Sequence, residues 1–447
     1  MFIFGYKCLE KEVQMDYNKQ LERVINYFKK GETDYKDFTV GLEFEHFVLD
    51  KSSLKSISYY GDGGLGETLL EICKTLNAKP YYNNESILGC DTDKFSISLE
   101  PGAQFEISIK SKLSIEQLYQ DYKEILGMVL PIFAKKNQIL VPLGYNPVSK
   151  IEDIKLIPKI RYNHMFEHFN SLNGDNNMGW NMMKGTASVQ VTIDYSDEKD
   201  CIRKYFLASA IAPILYAAFD NGYIFEEEPY KKYNIRQMVW EKTDKSRSGL
   251  LDFAFDDMSY QRYAKFILDT TPIFVEKNGE IINVNKKPFK ELFDPENDSD
   301  DEIFHAISIV FPDVRLKTYL EFRMMDGVNY PTNFAIVSLI KGLFYSEDSL
   351  NALEKMFKGT TYSEVMNTKS ETLLHGLKAK YKGITILEHL ENLYNLAYSA
   401  LGDEGRFLSP IKEIINSGKS PKDVFEDLFE SEGLRSAIEY NRVDKNV

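Results

Sequence analysis

The sequence predicts an α+β protein built on an open, largely antiparallel sheet, backed and flanked by helices, whose free face lines an active-site cavity. Three observations carry this expectation. The strand-like segments alternate apolar and polar residues, whereas strands buried on both faces of a parallel sheet read as continuous apolar runs. The polar faces of those segments repeatedly carry glutamate and glutamine. Helical periodicities separate the strands, and the chain beyond residue 345 reads as a run of helices.

From the N-terminus, Val13, Tyr17, Leu21, Val24, Ile25 and Phe28 recur at helical spacing across Glu10 to Lys30, and Gly31 stops the pattern. Thr39 to Leu49 alternates as a strand with Glu43 and Glu45 on one face. A pair of strands flanks the Pro101-Gly102 turn. Phe95, Ile97, Leu99, Phe105, Ile107 and Ile109 form its apolar set, and Ser98, Glu100, Gln104, Glu106 and Ser108 its polar face. Thr186 to Asp194 places Thr186, Ser188, Gln190, Thr192 and Asp194 on one side, and a fifth strand runs through Tyr319 to Arg323. The intervening helices are predicted over Ser114 to Lys136, Glu198 to Phe219 and Thr332 to Tyr345. With no repeat or low-complexity linker, the division is an N-terminal helical segment (1–35), a catalytic region of sheet and helices (36–345) and a C-terminal helical region (346–447) packed on it.

A net charge of −14 over 447 residues argues against nucleic acid as a partner, since that needs a basic stripe to displace counterions. Four cysteines without metal or disulfide spacing predict a reducing, cytoplasmic setting. The apolar start, Met1 to Tyr6, lacks the basic and hydrophobic regions of a signal peptide. Tyr205 to Phe219 is too short to span a bilayer and contains Pro213, so a soluble protein without membrane contact is expected.

Chemistry concentrates in the strand carboxylates Glu43, Glu45, Glu100, Glu106 and Glu321. Such a row repels itself unless a cation sits within it, and hard oxygen ligands select magnesium or manganese, which bridge nucleotide phosphates. A solvated strand face explains any one pair about as well, but not four segments repeating the theme. Gln104, Gln190 and Thr192 offer neutral groups to orient a substrate. Arg323 shares the face of Glu321 and either balances the acids or binds phosphoryl oxygens, and Arg247 lies in a polar loop, either as an ordinary surface arginine or as a mobile one that closes on an anion. Three features are set aside. Gly61 to Gly66 lacks the Lys-Ser/Thr of a phosphate-binding loop and reads as a turn; His164 and His168 read as a helix-surface pair; Glu226-Glu227-Glu228 reads as a solvated charge run.

Taken together, Gly41-Leu42-Glu43-Phe44-Glu45, Ser96 to Glu106, Pro158-Lys159-Ile160-Arg161-Tyr162, Met182-Met183 with Ala187 to Asp194, Arg247-Ser248-Gly249-Leu250-Leu251 and Tyr319 to Arg323 resemble the plant and proteobacterial type of glutamate-cysteine ligase, a branch of the glutamine-synthetase-like carboxylate-amine ligases. The resemblance spans roughly residues 36 to 345. It implies ATP as co-substrate, magnesium held by the five glutamates, and Gln104, Gln190, Thr192 and Arg161 binding substrate. It also implies catalytic arginines at 247 and 323, and glutamate and cysteine joined through a γ-glutamyl phosphate, the first step of glutathione synthesis, by a monomer or homodimer. The chain departs from the family pattern at Ala103, Thr192, Ser248 and Met324-Met325-Asp326. The rivals are a γ-glutamyl ligase for another amine, a glycoside hydrolase with paired glutamates, and a glutamate- or nucleotide-binding protein without turnover.

Overall fold

Val40–Asp50 forms β1, the eleven-residue strand on which the sheet is built. The computed structural model describes residues 16–172, 177–277, 280–282, 284 and 286–446. Val13, Cys8 and the apolar start Met1 to Tyr6 lie outside the described residues. Along β1 the odd and even positions part as the alternation requires. Leu42 and Phe44 are buried in the core, with the Phe44 ring set edge-on against Tyr122 and Phe334, while Glu43 and Glu45 are half-buried on the opposite face.

Six more strands follow: β2 (Lys79–Asn83), β3 (Ser86–Asp91), β4 (Phe95–Leu99), β5 (Phe105–Lys112), β6 (Gln138–Val141) and β7 (Val189–Ile193). With Val314–Leu316 and Leu320–Phe322 they make a nine-stranded sheet in the order 314–316, 320–322, β7, β1, β5, β4, β3, β2, with β6 on the second half of β1. Every pairing within it is antiparallel. The open antiparallel sheet read from alternation is therefore the observed architecture.

The helices that position the site are α1 (Tyr17–Lys29), α2 (Leu65–Thr75), α3 (Ile115–Lys135), α4 (Ile160–Ser171), α5 (Gly179–Gly185), α6 (Glu198–Ala210), α7 (Ala212–Ala218), α8 (Ile235–Glu241), α9 (Tyr260–Asp269), α10 (Asp300–Ser308) and α11 (Thr332–Phe344). Ser114 caps α3 by accepting from the Gln117 amide, which fixes its start one residue after the predicted boundary. After α1, Gly31 passes so close to Thr318 that a Cβ would fall 2.1 Å from its carbonyl oxygen, so only glycine fits. The helix predicted over Glu198 to Phe219 is two helices bent by 48°. Pro213 lies in the first turn of α7, where it has no amide to continue the α6 hydrogen-bond ladder. Among the described residues no single helix is long and apolar enough to cross a membrane. Gly61 to Gly66 is the turn expected, with φ of +88° at Gly61 and +72° at Gly63, leading into α2.

The core lies between the apolar face of the sheet and the helices. It runs from Leu21 of α1 to Val443, and a second cluster joins Phe47 and Leu49 of β1 and Ile139 and Val141 of β6 to Phe425, Ala437 and Ile438. Helix α11 is buried along nearly all its length between the sheet and the helix Ile386–Leu401.

Candidate active site

Because cross-strand partners share a face, the register carries the polar rows from strand to strand. Gln190 on β7 stands opposite Glu43 on β1, which stands opposite Ser108 on β5. Glu45 faces Glu106, which faces Ser98 on β4. Glu321 lies between Thr192 and Arg315. This surface floors a cavity of about 800 Å³. Its lining includes Glu43, Glu45, Glu100, Gln104, Glu106, Gln190, Arg161 and Arg323, eight of the eleven site residues predicted from sequence.

The carboxylates divide by their partners. Glu45 accepts from the Ser188 amide at 2.7 Å and the Gln190 side chain at 3.0 Å. Glu106 accepts from the hydroxyls of Ser98 (2.8 Å) and Ser108 (3.2 Å), and Glu100 from Tyr162 (3.3 Å). Burial and mutual repulsion make full ionisation costly. Burial, then the Glu100 charge, raises Glu45 to about 7. Burial and neighbouring Glu100, Glu43 and Glu45 push Glu106 well above the ordinary carboxylate range. Burial and Glu321 raise Glu43 against the pull of Lys317, Arg315 and Arg323.

Glu321 behaves oppositely. Burial alone would raise it, yet Arg315, Lys317 and Arg323 hold it below its usual value. It is fully buried and pairs with Arg315 at 2.6 Å, Arg323 at 3.3 Å and Lys317 at 3.6 Å. Glu321, expected from sequence as a metal ligand, is thus paired with three cations that line the cavity.

Three further expectations change. Arg247 is no mobile loop arginine. It is 3% exposed, bonded to Asp244 at 2.7 Å and to the Thr271 carbonyl at 2.9 Å, and lies outside the cavity lining. Thr192 keeps the predicted face but stands beside Gly41, also outside the lining. Gln104 lines the cavity, yet its amide is occupied by backbone, accepting from Gly102 (2.8 Å) and donating to Thr186 (2.9 Å) and Met183 (3.3 Å).

Sequence reading missed Arg236, Arg315 and Lys317, all lining residues. Arg315 and Lys317 share the two-residue period of Tyr319, Glu321 and Arg323, so extending that alternation toward the N-terminus finds them. Burial and the adjacent Arg315 lower Lys317 to about 8. Arg236, buried on α8 with a single bond to the Met324 carbonyl at 3.3 Å, has no such signal. His164 and His168, read as a helix-surface pair, are both half-buried, and His168 makes a tertiary bond to Asp244 at 2.9 Å.

Against known proteins, the model of glutamate-cysteine ligase family 2 matches residues 39–440, which carries the likeness through the C-terminal helices. A chloroplastic glutamate-cysteine ligase A of Oryza sativa subsp. indica is 28% identical over 442 residues, covering 96% of this chain and 88% of that protein. The chloroplastic glutamate-cysteine ligase of Arabidopsis thaliana is 28% identical over 426 residues, covering 92% and 80%. A glutamate-cysteine ligase from Francisella tularensis, solved in complex with AMP, shares the fold at a TM-score of 0.56 and 12% identity, over 92% of this chain and 88% of that one. The chloroplastic relatives overturn the cytoplasmic expectation, because sparse, unpaired cysteines report a reducing medium and not which compartment supplies it. With the match running through nearly all the described fold, from β1 to the last helix, the chain belongs to glutamate-cysteine ligase family 2.

Proposed function

We propose that this chain is an ADP-forming ligase that joins the γ-carboxylate of L-glutamate to the amine of L-cysteine. The observation that carries the reading is the pairing, in one cavity of this family's fold, of four glutamates with a cluster of arginines and a lysine. A γ-carboxylate oxygen attacks the terminal phosphorus of ATP and ADP leaves. The amine nitrogen then attacks the acyl carbon, phosphate departs, and the nitrogen gives up a proton. Neither step needs a protein nucleophile, so the work of the chain is positioning and charge stabilisation.

The donor set suits magnesium or manganese: it is all-oxygen, and burial raises Glu43, Glu45 and Glu106 above the ordinary carboxylate range. Among the described residues no three such groups converge into a complete cage. Glu43, Glu45, Glu100 and Glu106 would hold the ion, and when bound it supplies charge neutralisation at the phosphate oxygens. Arg315, Lys317 and Arg323, fixed by Glu321, present donors to the transferring phosphoryl group. Arg161 and Arg236, which also line the cavity, offer guanidinium groups to the carboxylates of the substrates.

The test is Glu43→Gln and Glu45→Gln, which keep shape and lose charge. Each is expected to lose most turnover, measured as ADP release, with a melting temperature within a few degrees of wild type. Near-normal turnover in both at saturating magnesium would remove these residues from the metal site.

A further inference from the structure

Glu226 does not behave as part of a solvated charge run. Glu226 and Glu227 are the central residues of the turn joining Ile224–Phe225 to Glu228–Pro229, with φ of +52° and +72°. That geometry favours glycine and asparagine. Glu227 uses it for a surface ion pair with Lys150 at 3.1 Å. Glu226 instead turns its carboxylate inward. One oxygen accepts from the Tyr145 hydroxyl at 2.6 Å, the other from the Ile151 amide at 3.2 Å. Asn181 donates to the Tyr145 oxygen at 2.7 Å and to Glu226 at 3.4 Å.

These partners belong to one wall of the cavity. Asn181 lies on α5, whose Met182 and Met183 line the cavity, with Thr186 just beyond. Tyr145 pairs with Thr186 through backbone, and the Asn146 amide donates to the Gly185 carbonyl at 2.9 Å. The Tyr145 ring lies so close to Gly185 that a Cβ there would fall 2.7 Å from it. Lys184 donates to the Ile151 and Ile154 carbonyls, closing the loop onto α5. The Met183 and Thr186 carbonyls then hold Gln104, which holds Gly102 in the turn beside Glu100.

We infer that Glu226 is a positioning residue for the cavity: it ties the loop 143–157 to α5, so that Met182, Met183 and Thr186, and through Gln104 the Glu100 turn, keep their places. The effect on turnover rests on the ligase reading; the effect on the wall does not. Hydrogen exchange followed by mass spectrometry, with steady-state kinetics on the full chain, tests both. Glu226→Ala is expected to speed amide exchange in Gly179–Thr186 at least tenfold, leave Thr332–Phe344 unchanged, and cut turnover tenfold or more. Glu226→Gln keeps an acceptor for Ile151 and a donor for the Tyr145 oxygen, and restores most of both. Tyr145→Phe gives the same local change in exchange, and decides the matter if Glu226→Ala fails to fold. Unchanged exchange in Gly179–Thr186, exchange that rises equally in Thr332–Phe344, or turnover within twofold of an active wild type overturns the assignment. A wild type that releases no ADP defeats the ligase reading alone, because the exchange comparison still stands.

Discussion

At Arg247 the guanidinium braces Asp244, the Thr271 carbonyl and, at 3.4 Å, the Ile309 carbonyl, while its own carbonyl accepts from the Phe311 amide. The residue therefore holds the layer behind the cavity. Arg247→Ala leaves Asp244 without its charge partner and should cost roughly 3 kcal/mol in chemical denaturation. A loss below about 1 kcal/mol would place the side chain back among surface arginines. Asp326 carries a pH dependence. Burial raises it to about 6, against the pull of Arg236 and the Asn221 amide. Because the folded value exceeds the unfolded one, near 4, its stabilisation is complete below about pH 4 and lost as pH rises through about 6. Asp326→Asn should therefore flatten the fall in melting temperature across that window, and equal slopes for variant and wild type would contradict the assignment. Ala103 shows how a departure from the family pattern is accommodated. With φ of +66° it occupies the left-handed backbone that glycine takes freely, at the end of the turn closed by its amide to the Glu100 carbonyl.

Among the elements, α11 shows how close packing fixes a glycine. A Cβ on Gly342 would sit 2.8 Å from the Ala397 backbone in the helix Ile386–Leu401, which has no flexible side chain there to yield. Gly342→Val should destabilise by roughly 2 kcal/mol through overpacking, and an unchanged melting temperature would show that the two helices slide apart freely. Period-2 alternation made β1, β4, β5 and β7 legible, and a helical pattern from Ser114 made α3 legible. The break between α6 and α7 was not read, although Pro213 was seen. Its consequence depends on the 48° bend falling in the stretch buried from Leu207 to Phe219. The edge strand β2 and its neighbour β3 carry no rows of acids to mark them.

Across the whole molecule, the acidic floor was legible because Glu43, Glu45, Glu100 and Glu106 follow a strand period, and register does the rest. The basic rim was legible only in part. Arg236 reaches the cavity from a helix, and the fate of Glu321 depends on Arg315 coming back beside it in the pair 314–316 and 320–322. The reach of Arg236 is tertiary, and no local period records it. The same holds for Glu226, whose role is set by Tyr145 and Asn181, far away in sequence. What joins these scales is a single claim, that the charges of the cavity are arranged to activate a carboxylate with ATP and deliver it to an amine. The direct measurement is ADP release from ATP, magnesium and glutamate, with and without cysteine, followed by mass analysis of the product. The account predicts sustained ADP release that depends on cysteine, and one γ-glutamylcysteine formed for each ADP. ADP release with no dipeptide, or tight nucleotide binding with no ADP release under any of these conditions, would contradict it.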